Sequence, residues 1–451
     1  MAGLLAARVL ADHVAQVTIV DRDRFPMEPV FRPGTPQARH GHILLVRGRE
    51  IIEQLFPGIT DELKIAGALT INWCSDRLNF GPEGPALKCN ADFWSYACSR
   101  PLLEWAIRRR LTNHPRIRFR EACRVTDLLF DASGQRVVGA LLASRTANGA
   151  TPAPAQPIYA DLVIDASGQR SQAPQWLAKQ GYARPAETII DSQVSYASRT
   201  YRLDPDTERR WKSLGVYNLG QGAALFEQEH GTWILTASSI SMEPPPNHEA
   251  GLLDYLRNLH RPEIYQAIQH ARPTSLIYGF RGIANRWRHY ERLARLPANF
   301  LVTGDAVCTL NPTYGQGMTA AALAALDLDH CLRHGQPGDL ARRFQRRLAR
   351  SLRAPWMTAT SADSHVTGKS ASQSYMNRLM HAYIEQLYVL TRRNPRIALA
   401  RYQVIHLIAP PASLFAPSVA GPVLAHWLGS RLLKFRHAFA LPGSIAAQKR
   451  K

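Results

Sequence analysis

The sequence predicts an α/β protein: a doubly wound sheet, an inserted β-rich domain and a helical C-terminal region. Three observations point there. Residues 299–328, NFLVTGDAVCTLNPTYGQGMTAAALAALDL, run from a short apolar strand through Gly304-Asp305 and a Gly315-Gln316-Gly317 turn into a helix of small residues. Residues 1–24 and 159–171 each hold a short apolar strand that ends in an aspartate, Asp21 and Asp165. Between 172 and 298 the pattern changes to alternating strands with a hairpin turn.

In chain order, Gly3 to Leu10 reads as a small-residue helix and Val17 to Val20 as a buried strand ending in Asp21. An acid about 20 residues beyond a glycine turn is the ribose-binding half of a dinucleotide fingerprint. Phe31 to Glu50 begins as a loop with Pro-Gly and Thr-Pro steps and turns helical from Ile43, crowding Gln37, Arg39, His40 and His42 at its end. The two histidines suit metal ligation or a satisfied core pair, and no third ligand is evident. Cys98 to Leu111 places Leu102, Leu103, Ala106 and Ile107 on one helical face. Arg100 sits at its start, where a cation opposes the helix dipole and so serves some other partner. Ile117 to Phe119, Val125 to Phe130 and Val137 to Leu142 read as strands around a turn at Gly134.

Leu162 to Ile164 reads as a buried strand whose carboxyl end carries the turn Asp165-Ala166-Ser167-Gly168. Ile189 to Leu203 and Ala223 to Ser239 alternate as half-buried strands, with Glu229-His230-Gly231 as the hairpin turn, and Ala250 to Leu259 reads as a helix. No catalytic motif stands out there. In the 299–328 stretch the glycine turn offers bare backbone N–H groups at a helix start, which suits an anion or an electron-rich ring, and Asp305 can accept hydrogen bonds from ligand hydroxyls. Beyond Leu328 the chain reads as helical. Val404 to Leu428 is apolar but interrupted by Pro410, Pro411, Pro417 and Pro422, which argues against a spanning helix.

The spelling Gly304-Asp305-Ala306, Asn311-Pro312 and Gly315-Gln316-Gly317-Met318 resembles the second FAD motif of the class A flavoprotein monooxygenases, the para-hydroxybenzoate hydroxylase type. The resemblance covers about residues 1 to 335 and implies an FAD-binding domain assembled from 1–171 and 299–335, a β-rich substrate domain over 172–298 and a helical region over 336–451. It implies that Asp305, beside Gly304, holds the ribityl chain, and that Pro312, Gly315, Gln316, Gly317 and Met318 lie beside the flavin ring. Asp21 and Arg22 fall at the ribose, a backbone group near Val125 at the adenine, and Asp165 near the pyrophosphate. The run Pro36-Gln37-Ala38-Arg39-His40-Gly41-His42-Ile43-Leu44 is similar to the PQxRHxHxL loop of a bacterial subgroup that includes polyether epoxidases, where the arginine lies near the flavin. The segment at Ser99-Arg100-Pro101 is similar to one whose arginine reaches the flavin side chain. Both Arg39 and Arg100 are therefore expected to point into the cofactor cleft. Of the family's GxGxxG turn only Ala2-Gly3 is present, so the first strand and first two glycines are missing from the expected pattern. The strands near Val17 and Leu301 are expected to flank an unfilled slot.

The resemblance implies a flavin-mediated hydroxylation or epoxidation of a small hydrophobic substrate through a flavin peroxide, with NAD(P)H as electron donor and a flavin reductase or carrier protein as a further partner. No nucleophilic triad is required by that chemistry. A flavin dehydrogenase or isoprenoid-type reductase on the same fold remains open, as does an inactive remnant or basic binding module. The Trp-x-Trp-x-Ile-Pro segment of the halogenase branch is absent.

Composition bounds these readings. The formal charge is +20, and residues 331–451 hold nineteen Lys and Arg against Asp339, Asp363 and Glu385. Such a face can meet anionic lipid, nucleic acid or a negatively charged carrier, but Lys supplies only eight of the 55 basic residues, which fits codon bias. Nucleic acid is not expected as a partner, and peripheral membrane contact stays open. No apolar run reaches membrane-spanning length, no secretory signal opens the chain, and six scattered cysteines without a CxxC pair argue for a reducing, cytoplasmic setting.

Overall fold

The computed structural model describes residues 1–81, 84–144, 154–206, 209–218, 220–240, 242–335, 337–367 and 375–438. Its largest sheet has nine strands. From one edge they run Cys308–Thr309, Tyr278–Arg288, Glu187–Arg202, Thr232–Ile240, Gln221–Glu227, Ser213–Asn218, Arg77–Gly81 and Gly84–Pro85, with Arg272–Pro273 paired beside Glu187–Arg202. The period of two sets its faces. Ala197, Leu225, Leu235 and Ala237 are fully enclosed on the side covered by helices Glu249–Arg257 and Glu263–Ile268, through Leu252, Leu256 and Ile264. Tyr196, Ser198 and Thr236, at the alternate positions, line the other face. The hairpin expected at Glu229-His230-Gly231 forms there as a single 3-10 turn.

The doubly wound part consists of two parallel pairs. Val17–Val20 pairs with Ile117–Arg120, and Val163–Asp165 with Phe300–Val302. Among the described residues no strand pairs the second edge of Val17–Val20 or of Phe300–Val302. Helices hold the two pairs in one core instead: Ala2–Leu10 packs against Gly317–Arg333, whose Ala320, Ala321, Ala324 and Ala325 are small enough to bring the backbones close. A three-stranded antiparallel sheet, Cys123–Phe130, Val137–Ser144 and Gln156–Tyr159, is pinned to the end of the first strand by Cys123 N–H donating to the Asp21 carbonyl at 3.0 Å.

The C-terminal region is helical over Leu340–Thr367, Tyr375–Leu390, Pro395–Ile405 and Pro417–Ala438. The sequence reading treated Pro422 as an interruption, yet the last helix runs through it. Pro422 and Ser418 are both exposed, so water can take the carbonyl that the missing N–H leaves unbonded. No described helix is long and apolar enough to cross a membrane.

Candidate cofactor and active site

Two turns meet the start of the Ala2–Leu10 helix. Gly304 has φ +63°, and a Cβ placed on it would come 2.6 Å from the Cβ of Ala2; a Cβ on Gly3 would lie 3.4 Å from that of Ala166. Glycine at 304 is required both by the left-handed backbone and by this contact. The approach delivers Asp305 to a position surrounded by protein where its own surface still reaches solvent. Enclosure pushes its carboxyl above the ordinary value, against the pull of Arg100 and the Met1 amino group. Among the described residues no hydrogen bond or ion pair holds that carboxylate.

Arg100 stands at the first position of Arg100–Thr112, behind Ser99, whose hydroxyl accepts from Leu102 N–H at 3.2 Å. Its Nη2 donates to Glu104 Oε2 at 3.3 Å, while Nε is buried without a partner. The 9 % exposed Arg100 is thus anchored at one end and unclaimed at another.

The glycine turn is built by Asn311. Its Oδ1 accepts from Thr313 N–H at 3.0 Å and from the Thr313 hydroxyl at 2.7 Å, and its own N–H donates to Asn285 Oδ1 at 2.7 Å. Gly315 has φ +65° and passes Ile43 closely. No side chain caps the Gly317–Arg333 helix, a Cβ on the exposed Gly317 would meet open space, and both amide atoms of the fully buried Gln316 lack partners. The helix-start N–H groups and the Gln316 amide nitrogen are unspent donors, and its amide oxygen an unspent acceptor, at the positive end of a five-turn helix. Met318 is buried in the core and Pro312 exposed at the turn.

The loop from Pro36 to Leu45 lies between that turn and the large sheet. Arg39 sits over the rings of Phe31 and Tyr278, 4.8 and 4.3 Å from their centroids. Cation–π contacts on the sheet side hold it, with no bond to the glycine turn. His40 Nδ1 is 2.9 Å from Ser198 Oγ, which is 2.8 Å from Thr236 Oγ1; the latter accepts from Gly41 N–H at 2.9 Å. Burial pushes His40 down to about 4, and His42 likewise to about 4 by burial and then Arg100. Both rings are neutral near pH 7. Among the described residues no group of three His, Cys, Asp or Glu could hold a metal ion.

Asp21, at the end of its strand, receives Asp23 N–H at 2.9 Å and lies 3.5 Å from Arg32. Burial raises its carboxyl. Arg22 is exposed and reaches the Gly34 carbonyl at 3.4 Å. Val125 lies beside an irregularity in its strand's pairing, where a backbone group can be released from the ladder. Asp165 is fully engaged: Oδ1 accepts from Ser167 N–H at 2.8 Å and Oδ2 from the Ser171 hydroxyl at 2.5 Å, so its carboxylate shapes the turn.

Sequence reasoning missed Asp23, Arg32 and Glu104. Arg32 bonds Asp23 at 2.7 Å and Glu104 at 2.9 Å, and Asp23 also accepts from Gly34 N–H at 2.6 Å. The hollow beside them is lined by Arg32, Thr35, Arg100, Glu104, Trp105 and Arg108. The one available signal was Glu104, an acid on the otherwise apolar face of a helix. Ser198 and Thr236 were also missed, because a hydroxyl in an alternating strand carries no motif.

No protein-family profile matches the chain. Protein Rv3254 of Mycobacterium tuberculosis is 35 % identical over 373 residues, covering 80 % of this chain and 78 % of that protein. A triple mutant of the flavin-dependent brominase Bmp2 superposes with a TM-score of 0.65 at 16 % identity, over 94 % of this chain and 96 % of that one. The p-nitrophenol 4-monooxygenase PnpA from Pseudomonas putida gives 0.64 at 15 % identity, over 90 % and 95 %. The chain therefore belongs to the family of Protein Rv3254 and has the fold of the flavin-dependent monooxygenases.

Proposed function

We propose that this protein is an FAD-dependent oxidoreductase acting as a monooxygenase, which hydroxylates or epoxidises a small hydrophobic substrate with electrons from NAD(P)H. One observation carries the reading: the unspent N–H donors and Gln316 amide at the Gly317 helix start accompany the unbonded Asp305 carboxylate and the half-claimed Arg100, all in a fold of this class. These groups fit the cofactor, offering a carboxylate to sugar-alcohol hydroxyls, backbone donors to an electron-rich ring edge and a guanidinium to an anionic linker. Asp21, Arg22 and Val125 would take the adenosine end. We assign residues 1–171 and 299–335 to the cofactor, 172–298 to the substrate and 336–451 to a helical cover.

The cofactor, when bound, would supply electron transfer and oxygen activation. The chain's own residues bind, orient and exclude water. Tyr278 and Phe280, beside Arg39 and His40, offer an apolar surface to the substrate. The neutral His40, with Ser198 and Thr236, can take or return a proton along hydroxyls that donate and accept equally well. This proton path suits oxygen insertion, whose second oxygen atom leaves as water.

The test is an absorbance spectrum of the purified chain after incubation with FAD, followed by anaerobic reduction with NADPH and exposure to oxygen. Bound flavin that reoxidises with water or peroxide formation supports the reading. A protein that takes up no FAD overturns it.

A further inference from the structure

The last described helix, Pro417–Ala438, turns Val419 and Val423 into a small core shared with Tyr383 and Leu387 of the Tyr375–Leu390 helix. Its other side is also apolar and, among the described residues, uncovered. Leu424 is 43 % exposed and Leu428 61 %, four residues apart on one face, with Gly421 exposed one turn earlier. Phe415, in the turn before the helix, is 43 % exposed although its ring stacks on Tyr383. A helical stretch that is apolar on a second side as well as its packed one belongs inside a protein or against lipid.

Charge decides what covers it. Residues 402–430 contain no Lys, Arg, Asp or Glu, so the exposed stripe is uncharged along its length. The flanks carry one sign only: Arg392, Arg393, Arg396 and Arg401 precede it, six further Lys and Arg follow it, and no acid occurs after Glu385. A second copy would bring like charges together, while an acidic protein would leave Leu424 and Leu428 facing carboxylates. An apolar strip between basic flanks matches a bilayer with anionic headgroups, which takes Leu and Phe into the acyl boundary and neutralises Arg and Lys at its surface.

We propose that the Phe415–Leu428 face docks on anionic lipid bilayers and holds the protein peripherally at the membrane, where a hydrophobic substrate would be concentrated. Docking does not depend on the flavin reading, since none of its residues belongs to the cofactor cleft.

The experiment is flotation of the full chain with vesicles of phosphatidylcholine alone or mixed with phosphatidylglycerol, at low and high sodium chloride, with FAD content measured alongside. Recovery with the anionic vesicles should exceed that with neutral ones by about tenfold at low salt and fall steeply as salt rises. The pair Leu424→Ser and Leu428→Ser, which alters no charge, should lower recovery about tenfold while melting temperature and FAD content stay as in the parent. Absence of vesicle association at low salt, or undiminished association of the serine pair, overturns the proposal. So does a dimer that the serine pair converts to monomer without any vesicle binding in the parent. Because the salt series uses the unaltered chain, the test survives if the serine pair does not fold.

Discussion

The Tyr196 hydroxyl lies 2.6 Å from Thr313 Oγ1, so one side chain of the inserted sheet is tied to the turn that opens the Gly317–Arg333 helix. The same hydroxyl is 3.2 Å from Asn311 Oδ1, the atom that folds that turn. The substrate-side sheet and the glycine turn are therefore tied together at Tyr196, as they also are at Asn285, whose Oδ1 accepts from Asn311 N–H at 2.7 Å.

Tyr196→Phe removes the hydroxyl's half of the joint, leaves the Asn285 contact in place and keeps the ring. Stability should fall by only about 0.5–1.5 kcal/mol. FAD affinity should fall as well, because the turn presenting the Gly317 N–H loses its brace. Thermal melts and a fluorescence titration with FAD check the two effects separately; a variant with parental FAD affinity would show the joint to be merely structural.

Asp305→Ala should weaken FAD binding by about 1.5–3 kcal/mol, the worth of hydrogen bonds to a charged group. No partner in the protein is lost, since the carboxylate is unbonded. The fold should hold, and dialysis against free FAD measures the loss. Equal flavin occupancy in variant and parent removes Asp305 from the site.

Arg32→Ala leaves Asp23 and Glu104, each under 10 % exposed, without their shared cation. Breaking a buried ion pair from one side costs about 3–5 kcal/mol, a large share of a typical stability. Urea denaturation should show it. Burial alone would raise Glu104, yet the Met1 amino group, Arg100 and Arg32 hold it at about 2. A depressed carboxylate stabilises fully above its ordinary value of 4.5 and loses that contribution as pH falls toward about 2. Glu104→Gln should flatten the acid limb of the stability profile over that window.

His40 and His42 are held near 4, below the ordinary 6.5, so the folded state refuses protons that the unfolded chain accepts. Their contribution is complete above about 6.5 and declines as pH falls to about 4. Imidazole NMR signals of both residues should remain at neutral positions at pH 5. A shift there to the protonated position would show that the loop is more open to water than the structure has it.

How far the sequence reached differs between elements. Phe300–Val302 and Arg100–Thr112 were legible because three adjacent apolar residues, or a Ser-x-x start with a periodic face, specify a strand or helix locally. The strands Ser213–Asn218 and Tyr278–Arg288 were not singled out, since their burial comes from partners rather than from their own pattern. Arg39 is expected near the cofactor, and only the structure shows that its guanidinium lies over Phe31 and Tyr278. The Asp165 segment is expected near the pyrophosphate, and only the structure shows that its carboxylate folds the turn through Ser167 and Ser171.

By itself the sequence determined the locally patterned strands and helices, the two glycine turns and the carboxylate at Asp305, because backbone preference and hydrophobic period act over a few residues. The tertiary structure decided which polar groups remain unspent. His40 meets Ser198 across 158 residues, Arg32 meets Glu104 across 72, and among the described residues the Gln316 amide finds no hydrogen-bond partner. A side chain's availability to a ligand depends on every neighbour that might satisfy it first, and those neighbours come from distant parts of the chain.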